Sequence, residues 1–209
     1  MKKYTYLILS LPFLLVFFLI LMFNATESKN NIKFIDAEGN VYKTVVINEK
    51  IWMAENLRVT IKPNAENLDG IFAYNNWPCK VSKYGYLYRW KAAMQACPKG
   101  WRLPTKKEWM ELIDELGGVE VAGGQLKSKE FWDDPNSGAT NGTGFSGIAA
   151  GYEYNGEFMD LGRHGYYWGM VDSITSFSMC LYHDNTNVKF IYENDRDTSI
   201  SFSVRYIKE

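Results

Sequence analysis

The stretch CPKGWRLPTKKEWMELIDELGG, residues 97–118, decides how this chain folds. Thr105 and Glu108 match a capping box, in which the threonine side chain satisfies a free backbone N–H and the glutamate reaches back to the cap. Apolar residues then recur at helical spacing until a glycine pair stops the helix: Trp109, Leu112, Ile113 and Leu116, then Gly117-Gly118. The stretch therefore predicts an amphipathic helix that packs one face on a core.

Outward from this helix, the front of the chain reads as hairpins and the back as short strands. Residues 33–47 hold two β-branched and aromatic runs around a Glu38-Gly39-Asn40 turn, and a second turn at 48–50 leads into 51–53. Residues 90–96 predict a second helix. Two helices with many short antiparallel strands indicate the α+β class. Further strands are predicted at 71–74, 147–152, 165–169, 178–182, 188–192 and 201–207.

The charge balance argues against a nucleic-acid partner. The 209 residues include 23 Lys+Arg and 24 Asp+Glu. Without residues 1–29, which hold three Lys and one Glu, 20 basic and 23 acidic residues remain, a net charge of −3. No basic stretch of the kind that binds nucleic acid occurs. The 7 Trp, 14 Tyr and 12 Phe favour an aromatic core, and exposed ones suit sugar stacking or a protein interface.

The N-terminus predicts a segment that enters a membrane. Lys2 and Lys3 precede a 17-residue apolar run, residues 7–23. That run is longer than a typical signal-peptide core of ~7–15 residues and at the short end of the ~17–25 residues that span a bilayer. The paired lysines hold the N-terminus inside, so we expect residues 30–209 to lie outside the cytoplasm.

The end of the apolar run favours an uncleaved anchor over a cleaved signal peptide. Phe23 lies two residues before Ala25, so the small-residue cleavage rule is not met. We expect residues 1–29 to be a signal or membrane anchor plus tether, and residues 30–209 to be a single domain. The predicted location is the bacterial cell envelope, on a single-pass inner-membrane anchor, or outside the cell if the segment is cleaved.

Seven motifs in chain order carry a family resemblance. They are DxxGNxYxTV (36–45), WMAENLR (52–58), YGYLYxW (84–90), CPxGWRLPT (97–105), GFS (144–146), GYYW (165–168) and SVR (203–205). Together they resemble the Fibrobacter succinogenes major paralogous domain family over residues 34–207. The resemblance implies an exported bacterial protein whose fold is kin to the formylglycine-generating-enzyme and C-type-lectin-like group. It implies no established biochemical role.

The cysteines depart from the family pattern. The family commonly ends Ser-Val-Arg-Cys, where this chain has Tyr206. The resemblance implies that the missing cysteine would bridge the position of Cys97, so Cys97 is expected to be free or to pair with Cys79 or Cys180. An odd count leaves at least one thiol free or paired between chains. Formylglycine-generating chemistry needs a close cysteine pair near the C-terminus, and Cys180 is alone there, so we do not expect that activity.

The motifs also have a physical reading. We expect Trp52, Trp101 and Trp168 to form the core together with the helix that carries Trp109. Three polar motif residues, Glu55, Asn56 and Arg205, are expected to form a buried hydrogen-bond or ion-pair network, since buried charge demands a partner. The alternative is that these three residues line a ligand site.

Residue types for catalysis are sparse. His164 and His183 are the only histidines, which is few for a zinc site, and no nucleophile-elbow motif occurs. No cofactor is predicted. Asp133 and Asp134 supply hard oxygen ligands for a Ca²⁺ candidate, against the alternative of a solvated turn.

These observations favour a non-enzymatic binding or surface-interaction module for a glycan or an envelope protein. Trp132, Tyr154 and Tyr182 neighbour polar turn residues and are our candidates for sugar stacking. One alternative is a hydrolase that acts on envelope or extracellular polysaccharide with two carboxylates. Another is a structural surface protein.

Overall fold

A computed structural model describes residues 32–172, 175–192 and 199–209. Lys33–Glu209 form one compact unit. The predicted N-terminal membrane segment and tether lie outside the described residues. Within the described ranges, no helix combines the length and the apolar character that a bilayer crossing requires.

The described chain is mostly sheet with a few short helices, which confirms the α+β class. The helices are α1 (Val81–Tyr84), α2 (Trp90–Gln95), α3 (Lys106–Glu115) and α4 (Ala122–Leu126). The strands are β1 (Phe34–Ile35), β2 (Val41–Tyr42), β3 (Thr44–Ile47), β4 (Lys50–Met53), β5 (Ile71–Phe72), β6 (Leu87–Arg89), β7 (Trp101–Arg102), β8 (Ala150–Tyr154), β9 (Glu157–Leu161), β10 (His164–Met170), β11 (Ser176–Tyr182), β12 (Val188–Tyr192), β13 (Ile200–Phe202) and β14 (Ile207–Lys208).

The strands form three sheets. The largest has the order β12-β11-β10-β8-β13-β6-β5, with β9 paired to β8; a second has the order β3-β4-β14-β7, and β1 pairs with β2. The pairs are antiparallel except that β8 and β10 run parallel at Gly151 and Gly165, a difference from the prediction of antiparallel strands. The two predicted hairpins are confirmed. The second turns through Asn48 and Glu49, both at positive φ, as a two-residue hairpin loop requires.

Two predictions about the elements are wrong. The first is the number of helices: the sequence predicts two, and the described chain has four α-helices. The additional helices α1 and α4 are too short to show an apolar period in the sequence. The second is the single strand at 201–207. It divides into β13 and β14 in different sheets, and all seven residues are buried as the chain passes from one sheet to the other.

The tryptophans pack in two clusters rather than one. Trp52 and Trp109 are fully buried in contact, with ring centroids 4.8 Å apart. Trp101 and Trp168 belong to a different cluster. The reason lies in the register of β14: Trp52 faces Ile207 and Trp101 faces the next residue, so their side chains point to opposite faces of the sheet.

The predicted capping box of α3 is confirmed. Thr105 Oγ1 accepts from Glu108 N at 3.2 Å, and Glu108 Oε2 accepts from Thr105 N at 2.9 Å. Arg102 adds two hydrogen bonds of 2.7 Å to the same carboxylate. Burial raises the pKa of Glu108, but the hydrogen bonds from Arg102 and Thr105 outweigh burial and hold the pKa at about 2.

We therefore expect Glu108→Gln to lose about 2 kcal/mol of unfolding free energy at pH 7. The folded pKa lies below the ordinary value of 4.5, so this stability is present above pH 4.5 and is lost as the pH falls towards 2. Urea unfolding at several pH values should show that the deficit of the variant shrinks below pH 4. Glu115→Gln, at an exposed site on the same helix, is the control and should shift stability by less than about 0.5 kcal/mol. A deficit that is equal at pH 7 and pH 2 would contradict this account.

Candidate functional site

A buried arginine lies at the centre of the polar motif residues. Arg205 is 1% exposed. Its Nε donates to Asn56 Oδ1 at 2.8 Å, its Nη2 donates to the carbonyl of Ser146 at 2.8 Å, and its Nη1 donates to the carbonyl of Phe145. The guanidinium also lies 4.3 Å from the ring centroid of Phe145 and 5.2 Å from that of Tyr167. The segment between β13 and β14 is thereby tied to the loop before β8.

Asn56 extends this arrangement to α1. Its side-chain amide, 4% exposed, donates to the carbonyl of Tyr84 at 2.9 Å and to Ser203 Oγ at 3.1 Å. Gly85 follows at φ +75°, and a Cβ there would lie 2.6 Å from the carbonyl oxygen of Leu57, so this close approach requires glycine. The predicted buried hydrogen-bond network therefore exists around Asn56 and Arg205.

The positive charge of Arg205 has only neutral partners in direct contact. None of the described carboxylates forms a salt bridge with it. Burial lowers the pKa of Arg205, and the group still carries its charge because guanidinium does not deprotonate in proteins. Glu55, which we expected in the network, instead accepts from the backbone N–H of Lys43 at 2.6 Å.

Arg205 and Asn56 form the floor of a surface cleft. The inner part has a volume of about 450 Å³, in the range of small-molecule sites. An outer part of about 570 Å³ shares Glu55, Arg58, Val81 and Ser82 with it, so we treat the two as one cleft. The inner part is lined by residues 54–56, 58, 81–83, 85, 128, 130 and 131, with Lys43, Ser146, Ile148 and Arg205.

Cations outnumber carboxylates in the inner cleft. The four cations are Lys43, Arg58, Lys83 and Arg205, and the two carboxylates are Glu55 and Glu130. Of the lining residues, the sequence indicates only Glu55, Asn56 and Arg205 as candidates for a ligand site. The motifs supplied a usable signal, since five of the seven (36–45, 52–58, 84–90, 144–146 and 203–205) contain residues that line the inner cleft.

The aromatic candidates lie outside this cleft. Trp132 is half-buried, and its Nε1 donates to the carbonyl of Gly147 at 2.9 Å. Tyr154 is 40% exposed at the end of β8. Tyr182 is half-buried at the end of β11, with its ring 5.0 Å from that of His164, and lines a separate cavity of about 240 Å³. Sugar stacking on these rings stays a prediction.

Asp133 and Asp134 are exposed. Across the described ranges, no group of three or more His, Cys, Asp or Glu residues is arranged to hold a metal ion. The Ca²⁺ candidate stays a prediction.

A buried lysine joins the loop after Asp134 to the end of β11 and the loop that follows it. The ammonium of Lys127 donates to the backbone carbonyls of Ser137 at 2.8 Å, Tyr182 at 2.8 Å and Asn185 at 2.9 Å.

The cysteines are free thiols: Cys79 is exposed, Cys97 is half-buried and Cys180 is buried. Burial raises the pKa of Cys97 and of Cys180 to about 12. Both thiols are therefore protonated at neutral pH, and the thiol is a poor nucleophile compared with the thiolate.

The geometry defines an α+β domain in which a hydrogen-bonded polar floor lies beneath a charged cleft. The model of the Fibrobacter succinogenes major domain matches residues 45–208. The chain belongs to this family. Comparisons with curated proteins and with solved structures give no match.

Proposed function

We propose that residues 33–209 form an extracytoplasmic binding module, and that its ligand occupies the cleft above Arg205. One observation carries the proposal: the buried guanidinium of Arg205 lines the cleft, held by Asn56 and two backbone carbonyls, and forms no salt bridge with a described residue. Glu55, in the same cleft, interacts with its charge only at longer range. A buried charge is costly unless it is paired, and a ligand group in the cleft would supply a partner.

The location and the fold kinship belong to the same proposal. The apolar run at 7–23 with Lys2 and Lys3 before it supports a domain outside the cytoplasm. The family resemblance supports kinship with C-type-lectin-like folds. We therefore propose a glycan or an envelope protein as the ligand. We propose that it binds in the cleft rather than on Trp132, Tyr154 and Tyr182.

A blocking substitution tests this proposal. Ser82 is exposed on α1 and lines both parts of the cleft, so Ser82→Trp should fill the cleft without disturbing the core. We expect the full-length chain to bind saturably to at least one member of a panel of neutral and acidic polysaccharides and isolated cell-wall sacculi. We expect Ser82→Trp to weaken that binding at least about tenfold, or 1.4 kcal/mol.

Met94→Trp is the matched control, because Met94 is 38% exposed on α2 and does not line the cleft. It should bind like the parent chain. Binding that Ser82→Trp leaves intact would move the site away from the cleft. Absence of binding to every probe would contradict a glycan or wall-binding role.

A hydrolase is the second candidate function, because Glu55 and Glu130 both line the inner cleft. Glycoside hydrolases use two carboxylates that flank the scissile glycosidic bond. Incubation of the same polysaccharides with the chain, followed by a reducing-end assay, tests it. If the parent chain produces new reducing ends and neither Glu55→Gln nor Glu130→Gln does, the result would favour the hydrolase over the binding module.

A further inference from the structure

We infer that the ligand is an acidic polysaccharide of the uronic-acid type, whose carboxylate enters the inner cleft. This inference rests on the proposed function and adds the class of ligand. Residues 30–209 carry a net charge of −3, yet the inner cleft is lined by four cations and two carboxylates, and the outer part adds one further carboxylate, Glu38. A cleft with an excess of cations in a domain of net negative charge favours a ligand of negative charge.

The cations of the cleft are held in place by neutral groups. Arg58 lies 4.2 Å from the ring centroid of Tyr42, and its Nη2 donates to the carbonyl of Val41 at 3.0 Å. The Lys83 ammonium lies 4.1 Å from the ring centroid of Phe131. Rings and carbonyls fix the position of a cation without neutralising it. These cations therefore keep their charge for a ligand.

Only some of the described cations are neutralised by a carboxylate. Several are paired directly with carboxylates: Arg102 with Glu108 at 2.7 Å, Lys50 with Glu111 at 2.7 Å, and Lys62 with Glu66 at 2.8 Å. Lys43 and Lys83 form no such pair with a described residue. Together with Arg58 and Arg205, they form a set that an anion would complete.

Other lining groups favour a saccharide over an acidic peptide. The hydroxyl-bearing Ser82 and Ser128 line the inner cleft and suit sugar hydroxyls. Phe131 is 37% exposed at the inner cleft. Exposed aromatic faces pack against sugar rings, and the two connected parts of the cleft suit consecutive residues of a polymer.

The test uses one polymer in two charge states. The full-length chain is titrated by calorimetry with oligogalacturonate and with its methyl ester, which has the same sugar ring without the charge. We expect saturable binding of the acid and at least about tenfold weaker binding of the ester. The affinity for the acid should fall as NaCl is raised, because salt screens exposed charges.

Variants that remove lysine charges test whether the carboxylate of the ligand binds in the inner cleft. The double variant Lys43→Gln with Lys83→Gln should weaken binding of the acid at least about tenfold and leave any binding of the ester unchanged. Lys91→Gln, at an exposed site outside the cleft, should bind like the parent. Lys43, Lys83 and Lys91 are all exposed, so these substitutions should change the free energy of unfolding by less than about 0.5 kcal/mol.

The outcomes separate the inference from the proposed function. Equal affinity for the acid and the ester, lost in Ser82→Trp, would overturn the acidic class and keep the cleft as the site. Tight binding of poly-glutamate with none of oligogalacturonate or alginate would make the ligand an acidic protein and overturn the saccharide class. Acid binding that neither the lysine pair nor Ser82→Trp affects would overturn both.

Discussion

Lys127→Met is expected to lower the free energy of unfolding by about 3 kcal/mol, because buried acceptors that lose their donor cost roughly 1–3 kcal/mol each. Lys127 is 0% exposed, and its ammonium holds three backbone carbonyls from two loops. Methionine keeps the aliphatic stem but supplies no donor. Burial lowers the pKa of Lys127 to about 8, so at pH 7 the group still carries its three donors.

Urea unfolding followed by tryptophan fluorescence at pH 7 measures this effect. Lys129→Met, at an exposed site two residues away, is the control and should change stability by less than about 0.5 kcal/mol. A Lys127→Met chain as stable as the parent would mean that the two loops are held by other contacts. The hydrogen bonds of Lys127 would then be incidental.

Arg205→Met is expected to cost about 3–5 kcal/mol, because it strips buried partners of a charged donor. Asn56 Oδ1 and the carbonyls of Phe145 and Ser146 each lose a hydrogen bond in the interior. The loss should appear as a lower midpoint of thermal unfolding. Three segments that are distant in sequence would lose the side chain that they share as a hydrogen-bond partner.

Arg58→Met is the matched comparison, since this arginine lines the same cleft but is only half-buried and contacts one ring and one carbonyl. Its loss should cost about 1 kcal/mol. If the two variants were equally stable, the network around Arg205 would not be what holds the floor of the cleft.

The parts of the fold that the sequence predicts are local. The helix after Thr105 follows from a capping box and an apolar period within a dozen residues, and the 48–50 turn follows from its flanking strands. The division of 201–207 between two sheets depends on partners more than 30 residues away in sequence, such as Glu153 for β13 and Trp52 for β14. No local pattern carries that information.

The same limit applies to the cleft. Arg205 and Asn56 could be selected because charged and amide residues inside apolar motifs need partners. Lys43 lies between β2 and β3, Lys83 lies on α1 and Phe131 lies in the loop after α4, and no local pattern indicates that these three residues line one cleft. Trp132, Tyr154 and Tyr182 follow from proximity to polar turns, a signal that indicates the surface of the domain but not which residues line this cleft.

The most direct measurement is hydrogen exchange of the full-length chain with and without saturating oligogalacturonate. The account predicts slower backbone exchange at residues 54–58, 81–85 and 128–131, the walls of the cleft, with little change elsewhere. Protection confined to the segments that carry Tyr154 and Tyr182, with the cleft walls unchanged, would contradict it.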